Sequence, residues 1–230
     1  VTLDKTIWDR EYVNGTEIDV YDSSSDHIKL VNTNDFEKAN TTLGVDYLQY
    51  SATFDNKGSY TSSVDKDATQ SGVFANIDYK LAPGTTTTVG YRVDDNSMHG
   101  THQTYRLGAS YVMRGHTFYS SVGTGYKNPT MYEMYGADSY GYSGNADLDP
   151  ETSYSREVGY RNKRLDVAVY DTSIKDMITY GNSTYSNDTA GSSTMQGFDV
   201  RHNFNIGKFR IDNSYSHVHA VNSSGTWLKR

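Results

Sequence analysis

Apolar and polar side chains alternate along most of this chain with a period of two. The clearest run is residues 73–81. There Val73, Ala75, Ile77, Tyr79 and Leu81 share one face, and Phe74, Asn76, Asp78 and Lys80 share the other. Pro83 and Gly84 then signal a turn. The next strand sets Thr85, Thr87, Val89, Tyr91 and Val93 against Thr86, Thr88, Gly90, Arg92 and Asp94. A third sets Tyr105, Leu107, Ala109, Tyr111 and Met113 against Thr104, Arg106, Gly108 and Ser110. After a turn at Arg114 and Gly115, a fourth covers 116–126. Further strands are predicted at 41–50, 153–160, 165–178, 194–204 and 209–221, with weaker candidates at 1–8, 17–21 and 27–31. The pattern predicts about nine to eleven strands in all.

The connections alternate in length. Short ones are expected near 81–84, 113–116, 161–165 and 205–208. Long ones are expected near 51–70, 94–103, 127–152 and 178–193. The Ser-, Asn- and Asp-rich stretches at 22–26, 55–72 and 181–193 read as loop tips. Alternating faces with short turns on one side and long loops on the other describe a wall between lipid and water, an outer-membrane-type barrel. Tyr91, Tyr105, Tyr126 and Tyr160 fall at strand ends, where an aromatic girdle would lie. A soluble all-β binding or adhesion protein shows a similar alternation and stays open from pattern alone.

Composition narrows the classes. The 230 residues include 21 Tyr, 20 Gly, 3 Pro and no Cys, and 35% are hydrophobic. No stretch approaches the roughly 18 consecutive apolar residues of a membrane helix. Aromatic content of 13% argues against disorder. A net charge of −7 argues against nucleic acid as a partner, because no basic patch supplies the counterion-release term. Without Cys, thiolate metal sites are excluded.

The wording of the chain also resembles a family. Arg92, Asp94, Asp95, Asn96, Ser97, Gly100 and His102 form one phrase, and Gly123, Thr124, Gly125, Tyr126, Lys127, Asn128 and Pro129 a second. Met134, Tyr135 and Gly136 follow. Then come Gly144, Asn145, Ala146, Asp147, Leu148, Asp149, Pro150, Glu151 and Ser153, with Glu157 and Gly159 after them. Residues 171–180 and Met195, Gln196, Gly197 and Phe198 complete the set. In order and spacing these resemble TonB-dependent outer-membrane receptors, in the group of cobalamin and colicin I receptors. The resemblance covers residues 40–230. Ala146 and Asn128 depart from the usual Pro and Ala, and residues 139–144 lengthen a loop.

The resemblance implies a segment of an antiparallel transmembrane β-barrel of 22 strands, in the outer membrane of a Gram-negative bacterium. The whole of residues 1–230 is expected to be one partial barrel domain. The expected partners are membrane lipid, the remaining barrel and plug segments of the receptor, and TonB through the plug. The implied cargo is cobalamin, with an iron siderophore or haem as the alternative. No cofactor and no catalytic residue are expected. The segments 94–103 and 127–152 would face the outside, and 113–116 the periplasm.

Candidate chemistry sits in the loops. Tyr132, Tyr135, Tyr140 and Tyr142 crowd 127–152, and with Asn96 they are the expected ligand-binding residues: rings at a barrel mouth stack on a flat, bulky ligand. Asp94, Asp95 and Asn96, or Asp147, Asp149 and Glu151, would suit a hard cation, but turn chemistry explains them as well. The pairs His99 with His102 and His217 with His219 each lack a third ligand in sequence. Glu133 and Glu157 could pose as a glycosidase pair, and nothing else supports an enzyme.

Overall fold

The computed structural model describes residues 2–14, 17–57, 62–138 and 140–228. Its strands are β1 (Thr2–Asn14), β2 (Glu17–Asp35), β3 (Ala39–Lys57), β4 (Ser62–Ala82), β5 (Thr85–Asn96), β6 (Gly100–Met113), β7 (His116–Lys127), β8 (Glu151–Arg161), β9 (Leu165–Gly181), β10 (Thr184–Ile206) and β11 (Phe209–Val221). One short helix, α1 (Met131–Tyr135), lies between β7 and β8. The eleven strands form a single sheet in chain order, each antiparallel to the next. No helix among the described residues is long and apolar enough to cross a membrane.

One face of this sheet is oily and unprotected. Ile77, Val89, Leu107 and Val122 stand in direct register across β4, β5, β6 and β7. The first three are exposed, as are Leu43, Val45, Val73, Leu81 and Tyr111 nearby. An apolar band of this extent needs lipid against it. Tyr91 and Tyr105 pair across β5 and β6 toward one end of the band, and Tyr160 stands at the other, beside Phe118. Tyr126 corrects the girdle reading. Its ring stacks on His102 at 4.5 Å and its hydroxyl reaches Asp94, on the polar face. The oily face also carries a polar cluster, where Arg156 donates to Asp171 at 2.9 Å and Gln196 donates to the same carboxylate at 3.0 Å.

The other face is polar and tightly paired. Arg92 forks onto Asp46 at 2.8 and 2.9 Å and onto Asp94 at 2.7 Å. Asp94 is only 2% exposed, so this bidentate pairing is what makes its burial tolerable. Phe74 lies between two cations, with Lys29 Nζ 5.0 Å and Arg92 Cζ 5.5 Å from its ring centre. The ring fits because residue 44 is glycine: a Cβ there would come within 2.1 Å of Phe74.

Short turns fall where expected, at 83–84, 114–115, 162–164 and 207–208, with another at 36–38. Of the expected long loops, 127–152 is found, while 51–70, 94–103 and 178–193 are largely strand, with residues 58–61 outside the described residues. Residues 51–57 and 62–70 continue β3 and β4, 94–103 closes through only 97–99, and 178–193 closes through Asn182 and Ser183. Those two residues have φ of 53° and 62°, the tight hairpin turn whose twist matches its strands. The stretch 22–26 is mid-strand in β2, paired to β1 on one side and β3 on the other. Among the described residues, only 128–150 forms an extended irregular connection. The strands are longer than the sequence indicated because they run on above the lipid band. There both faces are wet, the alternation fades, and Ser-rich strand looks like loop.

The facing yields a test. Val89→Arg in the assembled receptor is expected to cost about 2–4 kcal/mol, and Thr86→Arg on the opposite face well under half of that. Unfolding by denaturant in lipid vesicles reads both, and equal costs would reverse the assignment of the two faces.

Candidate functional site

The hydrophobic core of this molecule is not within the sheet. It lies where the long strands rise past their neighbours. Tyr21 of β2, Ala52 and Phe54 of β3, Ala68 of β4 and Met131 of α1 pack together, with Tyr50, Val64, Met98 and Tyr135 around them. The 128–150 connection is drawn over the polar face of the wall by this cluster.

Local chemistry fixes the start of that connection. Thr130 caps α1 through a reciprocal pair of bonds with Glu133: Glu133 N–H donates to Thr130 Oγ1 at 3.1 Å, and Thr130 N–H donates to Glu133 Oε2 at 2.7 Å. Lys127 then bridges Glu133 and Glu151, joining the two ends of the connection. The middle folds on Asp138, whose Oδ1 accepts the N–H groups of Tyr140 and Tyr142, both at 2.9 Å. Gly144 closes against the helix end, where a Cβ would meet the Met134 carbonyl carbon at 2.5 Å.

The second half is joined to the β9–β10 hairpin by directed bonds. Thr184 Oγ1 donates to the Ser143 carbonyl at 2.7 Å, and Asn145 Nδ2 to the Tyr185 carbonyl at 3.1 Å. Asn187 accepts from Asp149 N–H at 2.9 Å and donates to the carbonyls of Asp149 and Asp176. Glu151 accepts from Ile178 N–H at 2.7 Å.

A chain of six rings connects these two anchor points. Tyr21, Phe54 and Tyr132 form a mutual edge-to-face trio, with centres 5.8–5.9 Å apart. Tyr132 stacks on Tyr142 at 4.9 Å. Tyr142 meets Tyr180 and Tyr185, which lie 5.2 Å from each other. Tyr142 also donates its hydroxyl to the Tyr132 carbonyl at 2.6 Å. Burial pushes the phenols of Tyr21, Tyr132 and Tyr142 up from their ordinary value, so all three stay protonated donors at physiological pH.

Against this chain lies an open cavity of about 670 Å³. Trp8, Arg10 and Tyr12 line it from β1, Tyr21 from β2, Phe54 from β3, and Tyr132 and Tyr140 from the connection. The space exists because the residues between the large rings on this face are small: Ser23 and Ser25 of β2 and Ala52 of β3. Tyr12 and Tyr140 close one side, their hydroxyls 3.2 Å apart. A second cavity of about 610 Å³ adjoins it, sharing Tyr50, Thr130 and Met131 and reaching down to Arg92, Asp94 and Tyr126.

The expected site residues divide by position. Tyr132 and Tyr140 face the cavity. Tyr142 is buried behind Tyr132 and holds it. Tyr135 turns away, under the Lys66 ammonium 5.1 Å from its ring. Asn96 shapes the 97–99 turn: its Oδ1 accepts from Met98 and His99 N–H, and its Nδ2 donates to Tyr50 and Gln70. With its amide so engaged, Asn96 supports the wall behind the cavity. The β1 residues Trp8, Arg10 and Tyr12 and the strand residues Tyr21 and Phe54 were not anticipated. The alternation of Thr6, Trp8, Arg10 and Tyr12 carries the signal that would have found them.

The ion and enzyme candidates are accounted for by structure. Asp94 belongs to Arg92, and Asp95 accepts from the Thr101 hydroxyl. His102 Nε2 lies 3.1 Å from the His99 carbonyl. Burial, with His102 beside it, holds His99 below its ordinary pKa. His217 packs on Phe198 and His219 on Trp227. No metal-holding group of three acidic or histidine side chains exists among the described residues.

Comparison with known proteins adds the following. The family model for the TonB-dependent receptor-like β-barrel matches residues 3–230. The vitamin B12 transporter BtuB of Vibrio vulnificus (strain YJ016) is 31% identical over 175 residues, covering 71% of this chain and 27% of that protein. Among solved structures, the siderophore receptor PirA from Pseudomonas aeruginosa superposes with a TM-score of 0.72 at 18% identity, over 90% of this chain and 44% of its own. The copper transporter OprC gives 0.75 at 16% identity, over 92% and 39%. These structural likenesses concern the fold. The chain spans about a quarter of the length of the curated relative and less than half of either solved receptor.

Tyr142 tests the anchoring. Tyr142→Phe is expected to cost about 1 kcal/mol of local stability and Tyr142→Ala about 3 kcal/mol or more. Hydrogen exchange of residues 131–148 measures it. Unchanged protection in Tyr142→Ala would remove this ring from the role assigned to it.

Proposed function

Because this chain belongs to the TonB-dependent receptor β-barrel family, we propose that it forms part of the wall and mouth of an outer-membrane receptor importing a scarce ligand, cobalamin first. The observation that carries this reading is the aromatic cavity at the rim of a lipid-facing wall. Family members are transport receptors of the outer membrane, and the curated relative carries vitamin B12 in its name. No bond-making step is assigned to this chain. Binding requires only that a flat face of the ligand lie on Tyr132 and Trp8 while its polar edge meets the hydroxyls of Ser23, Ser25 and Tyr140. A corrinoid is larger than the cavity, so one face of it would seat here and the remainder would extend over the open polar face of the wall. Transport energy would come from the inner membrane through TonB, contacting the receptor's plug.

The test is equilibrium binding of cyanocobalamin to the complete receptor, followed by Trp8 fluorescence and by calorimetry. Saturable binding is expected, weakened about tenfold by Tyr132→Ala through loss of one stacking contact. Binding of a ferric siderophore or haem with no binding of cyanocobalamin would replace cobalamin by the alternative cargo.

A further inference from the structure

The lipid-facing row changes character part of the way round the wall. Ile77, Val89, Leu107 and Val122 continue in direct register as Arg156, Asp171, Gln196 and His219 on β8 to β11. The next row down stays apolar, with Val158, Val169 and Phe198 exposed side by side. Along β8 the same face runs Tyr154, Arg156, Val158 and Tyr160, so the polar cluster lies between the rings that bound the band. Arg156 makes its bond to Asp171 through Nε, and its side chain remains 64% exposed against 25% for Asp171. Hydrocarbon is a costly environment for such a pair, and charged groups at membrane depth normally face protein or water. The cluster therefore needs a polar cover.

We propose that this cluster is the contact between two copies of the receptor in the membrane. The arrangement of charge selects that cover. Arg156 and Asp171 stand side by side as register partners on β8 and β9. A lipid phosphate set against the guanidinium is opposed by the carboxylate beside it, and a lipid amine set against the carboxylate is opposed by the guanidinium. A second copy, related by a two-fold axis normal to the membrane and passing between β8 and β9, meets neither obstacle. Left and right exchange across such an axis, so Arg156 of each copy falls opposite Asp171 of the other. Four charges then alternate around the axis, and each has an opposite charge on both sides. Gln196 holds the second oxygen of Asp171 and fixes the plane of the carboxylate. Val158 and Val169 supply apolar contact beneath the charges. The inference uses only the facing of the wall, which Val89→Arg and Thr86→Arg test separately, and not the identity of the cargo.

Cross-linking in outer-membrane vesicles tests the contact. This chain has no cysteine, so single thiols are placed in a complete receptor otherwise free of them. Val169→Cys lies beside the axis, and Val89→Cys lies on the apolar stretch away from it. A short bis-maleimide is the reagent, because facing sheets pack about 10 Å apart. Val169→Cys is expected to give at least about tenfold more covalent homodimer than Val89→Cys. The charges are then exchanged within one chain, Arg156→Asp with Asp171→Arg, which keeps the pair inside each copy and with it the fold. Exchanged copies are expected to cross-link with one another as the parent does. Mixed pairs of parent and exchanged copies, told apart by a size tag, set like charges opposite each other and are expected to cross-link at least about tenfold less. Equal yields from Val169→Cys and Val89→Cys, equal yields from mixed and like pairs, or a cross-link from Val169→Cys to a different protein alone, each overturn the proposal.

Discussion

The antiparallel ladder from β1 to β11 is the constraint on which everything else depends. Lipid offers no hydrogen bonds, so each backbone N–H and C=O within it must find a partner on a neighbouring strand. That requirement fixes register, and register with a period of two fixes facing. Ile77, Val89 and Leu107 can form a lipid-facing row only because Asn76, Thr88 and Arg106 are thereby turned the other way. A slip of one residue in β5 would turn Arg92 and Asp94 together into lipid and leave Asp46 without its cation. The ion triad and the oily row are two readings of the same register.

Above the lipid the constraint relaxes, and the strands use that freedom. β2, β3, β4, β9 and β10 run on as ribbons, and their upper residues no longer need to separate oil from water. They carry instead the groups that fasten the 128–150 connection. The division of labour in that fastening is physical. On the β9–β10 side the fastening is by directed hydrogen bonds, from Thr184 and Asn187 to backbone of the connection and from Asn145 of the connection to the Tyr185 carbonyl. The β2–β3 side supplies apolar contact from Tyr21, Phe54 and Ala52 to Met131 and Tyr132.

These facts explain what was legible in the sequence. Within the lipid band alternation is strong, so strands such as 73–81 and 105–113 were readable residue by residue. The tight turns at 83–84 and 114–115 were readable from their turn residues. The ribbons were not, because a strand wet on both faces loses its period and a run such as 22–26 looks like a loop tip. The site was half legible for the same reason. Tyr132, Tyr140 and Tyr142 stand out as a dense cluster in the connection. Their partners Trp8, Tyr12, Tyr21 and Phe54 lie over a hundred or nearly eighty positions away in sequence, on ribbons whose facing only the pairing reveals. Tyr126 shows the converse. It stands at a strand end as a girdle residue would, yet the buried Asp94 and His102 provide a better environment for its hydroxyl and ring than the lipid boundary does.

The choice of tyrosine over phenylalanine along the ring chain follows from the polar partners at the ring ends. Each ring covers apolar surface, and each hydroxyl still needs a partner where it ends. Tyr21 donates to the Ala137 carbonyl, Tyr142 to the Tyr132 carbonyl, and Tyr12 and Tyr140 meet through their hydroxyls. These bonds give the stacked rings fixed positions as well as area, which a phenyl ring would lack. Phe54 is the exception, and it sits where no polar partner is required, at 5% exposure between Tyr21 and Tyr132. A surface of this kind is rigid before any ligand arrives. A ligand that stacked on Tyr132, as proposed, would replace water and leave the protein's own contacts in place, so little of the stacking energy would go to ordering the loop.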